Sequence, residues 1–219
     1  MLHRFIALDM DRTLFDSTEY ASVIIEALNL SEVEEREAKE VLKHEYGNNF
    51  DSLSYLVGIK GVDYKTAYKL ILNRSKKHRR ALLMPGVANL ILTLDNTGDS
   101  YGILTTGTKV NQDLKLAILR DLLNKNETSL PAEVTEVSDK SLDFIENRWD
   151  EKRQAFHIDA ELCGKKGGAY AKTVVLIDDK STNLTAKHPH VVLMHVPVNP
   201  TAEEHTLNSV AEYIKYTAR

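Results

Sequence analysis

Short apolar runs recur along the chain, separated by longer stretches with helical spacing. Phe5–Leu8, Tyr101–Leu104, Ala132–Val137, Thr173–Ile177 and Val191–Val196 each read as a strand. In Thr173-Val-Val-Leu-Ile177 successive residues are apolar, the pattern of a strand covered on both faces. Between the second and third strands, Leu114, Ala117, Ile118 and Leu122 recur at the helix period. Strands alternating with helices predict a doubly wound, Rossmann-like α/β fold: a parallel sheet with right-handed crossovers.

The interval between the first two strands is longer than one crossover needs. From about Ser17 to Leu83 it is rich in helical spacings such as Val23, Ala27 and Leu28, with breaks at Gly47–Phe50 and Gly58–Gly61. This predicts a helical cap subdomain over residues 16–83, inserted into a core made of 1–15 and 84–219. Met84-Pro-Gly-Val87 marks the return to the core, and Ala88–Leu94 is the helix leading into the second strand. A smaller insertion from Trp149 to Lys172 carries a short strand, Ala155–Ile158.

Composition narrows the function. With 219 residues, 42% of them hydrophobic, the chain has ample material for a core without staples. A formal net charge of -4 gives no electrostatic reason to expect nucleic acid as a partner. Cys163 is the one cysteine, which excludes an internal disulfide and fits a reducing compartment; a small, partly buried residue is its expected role. No apolar run approaches a membrane span, and Asp9 interrupts the first one before it could form a signal-peptide core. These features predict a soluble cytoplasmic protein without a membrane partner. Lys76-Lys-His-Arg-Arg80 reads as a solvated helix end, and His188-Pro-His190 lacks further ligands at zinc spacing.

The candidate chemistry lies where the strands end. Asp9 and Asp11 follow the first strand, Thr105 and Thr106 the second, and Asp178-Asp179 the fourth. In an open parallel sheet, ligands bind beyond the carboxyl ends of the strands, so neighbouring strands would bring these groups together. Carboxylates gathered at one point repel one another, and a hard divalent cation such as Mg²⁺ relieves that repulsion. An acidic nucleophile, a metal and a hydroxyl donor suit phosphoryl transfer. Asp178-Asp179 has a blander reading as a helix cap feeding Ser181–Leu184.

At these residues the chain resembles the haloacid dehalogenase-like (HAD) hydrolases. The first family motif, an apolar strand followed by Asp-x-Asp-x-Thr, matches Asp9-Met-Asp-Arg-Thr13. The second, a strand ending in Ser or Thr, matches Gly102–Gly107, and the fourth matches Val174–Asp179 with Asn183 shortly after. The resemblance implies a phosphatase: Asp9 as nucleophile, Asp11 as general acid/base, and Thr105 binding the transferring phosphoryl group, with Thr106 as a rival. It also implies Mg²⁺ held by the Asp9 side chain, the Asp11 backbone carbonyl, Asp178 and Asp179. The substrate it implies is a small phosphorylated metabolite.

Two departures from the family pattern matter. Arg12 stands where Gly is common, adding bulk and charge beside the site. The third-motif lysine is not marked by its surroundings. Lys140 is preferred because it opens a helix-like run with Leu142, Ile145 and Trp149 on one face; Lys152, Lys165, Lys166 and Lys172 are the alternatives. A phosphotransferase or mutase using the same aspartyl-phosphate, and a non-catalytic phospholigand-binding relative, are the competing functions.

Overall fold

In β1 (Leu2–Leu8) consecutive side chains serve opposite faces of the sheet, and both faces are buried. Ile6 and Leu8 join one hydrophobic cluster with Ile103, Val175 and Ile177; Phe5 and Ala7 join the other with Leu104, Val174 and Leu176. The structure, a computed structural model, describes residues 1–45, 52–201 and 204–218. After β1 come α1 (Ser17–Ala27), α2 (Glu32–Glu45), α3 (Ser52–Lys60), α4 (Tyr64–Ser75), α5 (Val87–Thr97), β2 (Ser100–Thr106) and α6 (Lys109–Leu123). There follow β3 (Ala132–Thr135) and α7 (Lys140–Asp143), which runs into a π-helical turn over Phe144–Arg148. β4 (Trp149–Asp150), β5 (Ala155–Ile158), α8 (Ala160–Cys163), β6 (Ala169–Asp178), a 3-10 turn over Ser181–Asn183, β7 (Val191–His195) and α9 (Leu207–Thr217) complete the chain.

The fold is α/β. Its central five strands run parallel in the order β3-β2-β1-β6-β7. The expected α/β fold with a parallel core is present, and two further strands make the whole sheet mixed. β6 is long, and its first residues pair antiparallel with β5, which pairs antiparallel with β4. The insertion after α7 therefore extends the sheet instead of looping away from it. One face carries α5, α6 and α9 through residues such as Leu90, Ile118 and Ile214; the other is covered by Phe144 of the π-helical turn and Leu162 of α8.

Between β1 and α5 lie α1–α4, and their buried residues Val23, Ile24, Leu53, Leu56 and Ile71 continue the first cluster rather than forming one of their own. Asp16 caps α1 by accepting from the Thr18 and Glu19 amides. The break expected at Gly58–Gly61 is narrower than its sequence suggested: Gly58 lies inside α3, and only Gly61, with φ 68°, leaves the helix. The break expected at Gly47–Phe50 lies outside the described residues.

Other boundaries also differ. The third strand stops at Thr135, two residues short of Val137, which is exposed. Trp149 is not on a helix face with Leu142 and Ile145. The π-helical turn shifts the register, so Phe144 is buried, Leu142 is exposed, and Trp149 sits in β4 against Phe156 and His188. The residue before the 3-10 turn is Lys180, so the pair Asp178-Asp179 does not cap it. No helix among the described residues is long and apolar enough to cross a membrane.

The approach of α8 to β2 depends on Gly102. A Cβ there would lie 1.9 Å from the Leu162 carbonyl oxygen, and backbone cannot move aside as a side-chain tip can. We expect Gly102→Ala to lower the unfolding free energy in urea by about 3 kcal/mol. A loss under about 1 kcal/mol would contradict this packing.

Candidate active site

The register of three strands assembles the site. Leu8 pairs with Ile177 on one side and Ile103 on the other, and the Asp9 amide continues the ladder to the Ile177 carbonyl at 2.8 Å. Asp9 thus emerges beside Asp178, and Thr105 lies just beyond the paired residue of β2. These groups come from distant parts of the sequence, and the parallel pairing makes them neighbours.

Lys140 binds the two acids together. Its ammonium donates to Asp9 Oδ1 and to Asp178 Oδ2, each at 2.5 Å, and all three side chains are almost fully buried. Asp139 places it: its carboxylate accepts from the Leu142 amide, capping α7, and also from Thr185, in the loop before β7. Lys152, Lys165, Lys166 and Lys172 are all exposed and away from this cluster. Thr13 Oγ1 donates to Asp9 Oδ2 at 3.1 Å. Asn183 Nδ2 donates to Asp178 at 3.0 Å, as does the Lys180 amide at 2.9 Å.

One carboxylate oxygen each from Asp9, Asp178 and Asp179 lie within 4.8 Å of one another. The donor set is all carboxylate oxygen, hard and anionic, without sulfur or imidazole, which fits a hard divalent cation. The Asp11 carboxylate is not in this group. It turns to Lys115 Nζ at 2.7 Å, Gln112 Nε2 at 3.1 Å and the Ser17 hydroxyl. Thr105 Oγ1 is buried with no hydrogen-bond partner, whereas Thr106 is half-buried and its carbonyl accepts from Gln112 Nε2 at 2.6 Å. Gly107 makes that contact possible, because a Cβ there would meet Gln112 Nε2 at 2.4 Å.

Electrostatics separate the two motif carboxylates. Burial, assisted by the Asp178 charge, pushes Asp9 up to about 7 despite the opposing pull of Lys140. Burial also opposes the charge on Asp11, but Lys115, with hydrogen bonds from Lys115, Ser17 and Gln112, outweighs it and holds Asp11 below the usual carboxylate range. Asp179 is pushed up to about 6, by burial first and then by Asp178. Burial likewise opposes the charge of Lys140, yet Asp9 and Asp178 raise its pKa. Arg12 holds a left-handed φ of 64° where a glycine would be unstrained, and its guanidinium lies 3.7 Å from Asp179 Oδ2.

A protein described as a haloacid dehalogenase-like hydrolase, from Burkholderia xenovorans, is similar over 97% of this chain and 96% of its own, with 16% identity and a TM-score of 0.56. The chain has the haloacid dehalogenase-like fold. Lower TM-scores of 0.47 and 0.44 relate this HAD-like chain to a β-phosphoglucomutase from Thermotoga maritima and a HAD hydrolase from Bacillus subtilis bound to magnesium. Their identities are 14% and 13%, with 98% of this chain and 99% of each of theirs covered. No protein-family model and no curated protein matches the sequence.

Around Asp11, the sequence alone did not single out Gln112, Lys115 and Ser17. The signal was present in α6. Asn111, Gln112 and Lys115 follow the helix period and begin just after the second-strand motif, but the apolar series Leu114 and Ile118 drew the assignment.

In the metal-free protein, Asp9 and Asp179 favour the protonated form more in the fold than in the unfolded chain. Their contribution to stability is therefore full below the ordinary carboxylate range and is lost as pH rises through about 6 to 7. Chelator-treated protein should show a urea midpoint that falls from about pH 5 to about pH 8, with Mg²⁺ restoring it at the upper end. Asp9→Asn should flatten the slope. A midpoint indifferent to pH and to Mg²⁺ would contradict the reading of this cluster.

Proposed function

We propose that the protein is a Mg²⁺-dependent phosphatase that hydrolyses a small phosphorylated metabolite in the cytoplasm through an aspartyl-phosphate on Asp9. The observation that carries this reading is the buried Asp9 carboxylate, fixed by Thr13 and Lys140 beside Asp178 and Asp179, with Asp11 in a separate donor environment two residues on. Asp9, Asp178 and Asp179 would hold the cation through side-chain oxygens, and Asp11 through its backbone carbonyl. When bound, Mg²⁺ favours the ionised, nucleophilic form of Asp9 and neutralises phosphate charge.

The chain's own groups account for the rest. An Asp9 carboxylate oxygen attacks phosphorus; the new O–P bond forms as the bridging P–O bond of the ester breaks, and the departing oxygen takes a proton from Asp11, which is ionised beside Lys115 in the resting site and takes up that proton as the substrate binds. Water then attacks the same phosphorus, Asp11 takes a proton from it, and the Asp9–phosphorus bond breaks to release inorganic phosphate. The unpartnered Thr105 hydroxyl donates to a phosphoryl oxygen, and the Lys140 ammonium offsets charge on nucleophile and phosphate alike. Residues 16–83 serve as the cap that closes over the site and keeps water out during the first step.

The test is phosphate release from a panel of phosphomonoesters, with Mg²⁺ and with chelator. Release should require the metal, and Asp9→Asn should abolish it while circular dichroism remains native. Asp11→Asn should cost on the order of 10²–10⁴ in kcat/KM. Unchanged hydrolysis in Asp9→Asn, or hydrolysis unaffected by chelator, would refute the assignment.

A further inference from the structure

Lys115 is 6% exposed and Gln112 is 3% exposed, on a helix whose other inward residues are largely apolar. A buried lysine carries a desolvation cost that an apolar side chain would avoid, and a buried ion pair seldom improves on a hydrophobic one. Gln112 adds to that cost, because its buried Oε1 has no hydrogen-bond partner. Stability alone is therefore a poor account of this face of α6.

What these side chains do instead is converge on one carboxyl group. Lys115 Nζ donates to Asp11 Oδ1 at 2.7 Å, with its ammonium also 5.4 Å from the centre of the Tyr20 ring. Gln112 Nε2 donates to Asp11 Oδ2 at 3.1 Å and to the Thr106 carbonyl at 2.6 Å, so it ties the second-strand loop to the first-strand loop. Ser17, at the start of α1, donates to Oδ1. Both Asp11 oxygens are held, although its side chain remains 29% exposed. The hydrogen bonds of Lys115 and Gln112 reach neither Asp9 nor Asp178 nor Asp179 among the described residues.

We propose that Lys115 and Gln112 are positioning residues for Asp11, fixing its carboxyl on the leaving-group side of Asp9. This inference rests on the phosphatase reading above. Asp11 lies in a tight turn, where Arg12 N donates to the Phe15 carbonyl, and without Lys115 and Gln112 only the Ser17 hydroxyl among these donors would hold its side chain. A proton donor works only within hydrogen-bond reach of the departing oxygen, and small misplacements cost large factors in rate. Lys115 and Gln112 supply that constraint without touching the substrate.

The experiment compares Lys115→Met, Lys115→Arg and Asp11→Asn on an alkyl phosphate and on p-nitrophenyl phosphate. The readout is kcat/KM, which reports the steps up to phosphorylation of Asp9. An alkoxide needs a proton to depart and p-nitrophenolate does not. Lys115→Met should therefore lose on the order of 10² on the alkyl ester but less than about fivefold on the aryl ester, tracking Asp11→Asn, and Lys115→Arg should recover at least about tenfold. Equal losses on both esters, or no loss on either, would overturn the positioning role. If Lys115→Met does not fold, Gln112→Met takes its place in the same comparison. If the wild type turns over neither ester, it is the phosphatase reading that has failed. Positioning is then decided by the crystal structure of the variant: an Asp11 carboxyl displaced from its wild-type position supports it, and one that stays in place overturns it.

Discussion

A single, almost fully buried ammonium group shared between two carboxylates imposes the main constraint on this molecule. Lys140 lies 2.5 Å from both Asp9 and Asp178. Such a triad carries one negative charge too many, and Asp179 beside it adds another. Buried charge of one sign is tolerated only where something compensates for it. The Thr13 hydroxyl, the Asn183 amide and the Lys180 backbone amide offset part of the imbalance; a cation would offset the remainder. The same imbalance that makes the resting site costly makes it receptive to a cation.

The sheet exists, in this sense, to enforce the juxtaposition. β1 is buried on both faces and paired on both edges, so Asp9 cannot slip relative to Asp178 without shifting every side chain of β1 to the wrong face. Lys140 comes from a different kind of element, a short helix whose position depends on the Asp139 cap and on contacts from the loop before β7. Rigid strands supply the acids, and a capped helix supplies their counterion. Helix α6 adds a third support, holding the second carboxyl apart from the first.

How much of this could be read from the chain depended on the range of the interactions. Phe5–Leu8 and Thr173–Ile177 declare themselves as buried strands because local apolar runs record burial on both faces. The parallel direction of the core strands follows from the alternation of strands and helices, but their order does not. What did not follow was the antiparallel pairing of β4 and β5, since two-residue and four-residue strands leave little periodicity to detect. Trp149 misled because a π-helical turn breaks the helix period just before it. Gln112 and Lys115 were missed for another reason: polar residues on a helix are read as solvated, and only the tertiary position of Asp11 makes them buried partners.

The central claim is that Asp9 carries the phosphoryl group. The direct measurement is rapid acid quenching of the protein during turnover with Mg²⁺ and a hydrolysed phosphomonoester, followed by peptide mapping. The account predicts an acid-stable, base-labile phosphoryl group on the peptide containing Asp9, absent in Asp9→Asn. Phosphate release with no phosphorylated intermediate, or with the phosphoryl group on another residue, would contradict it.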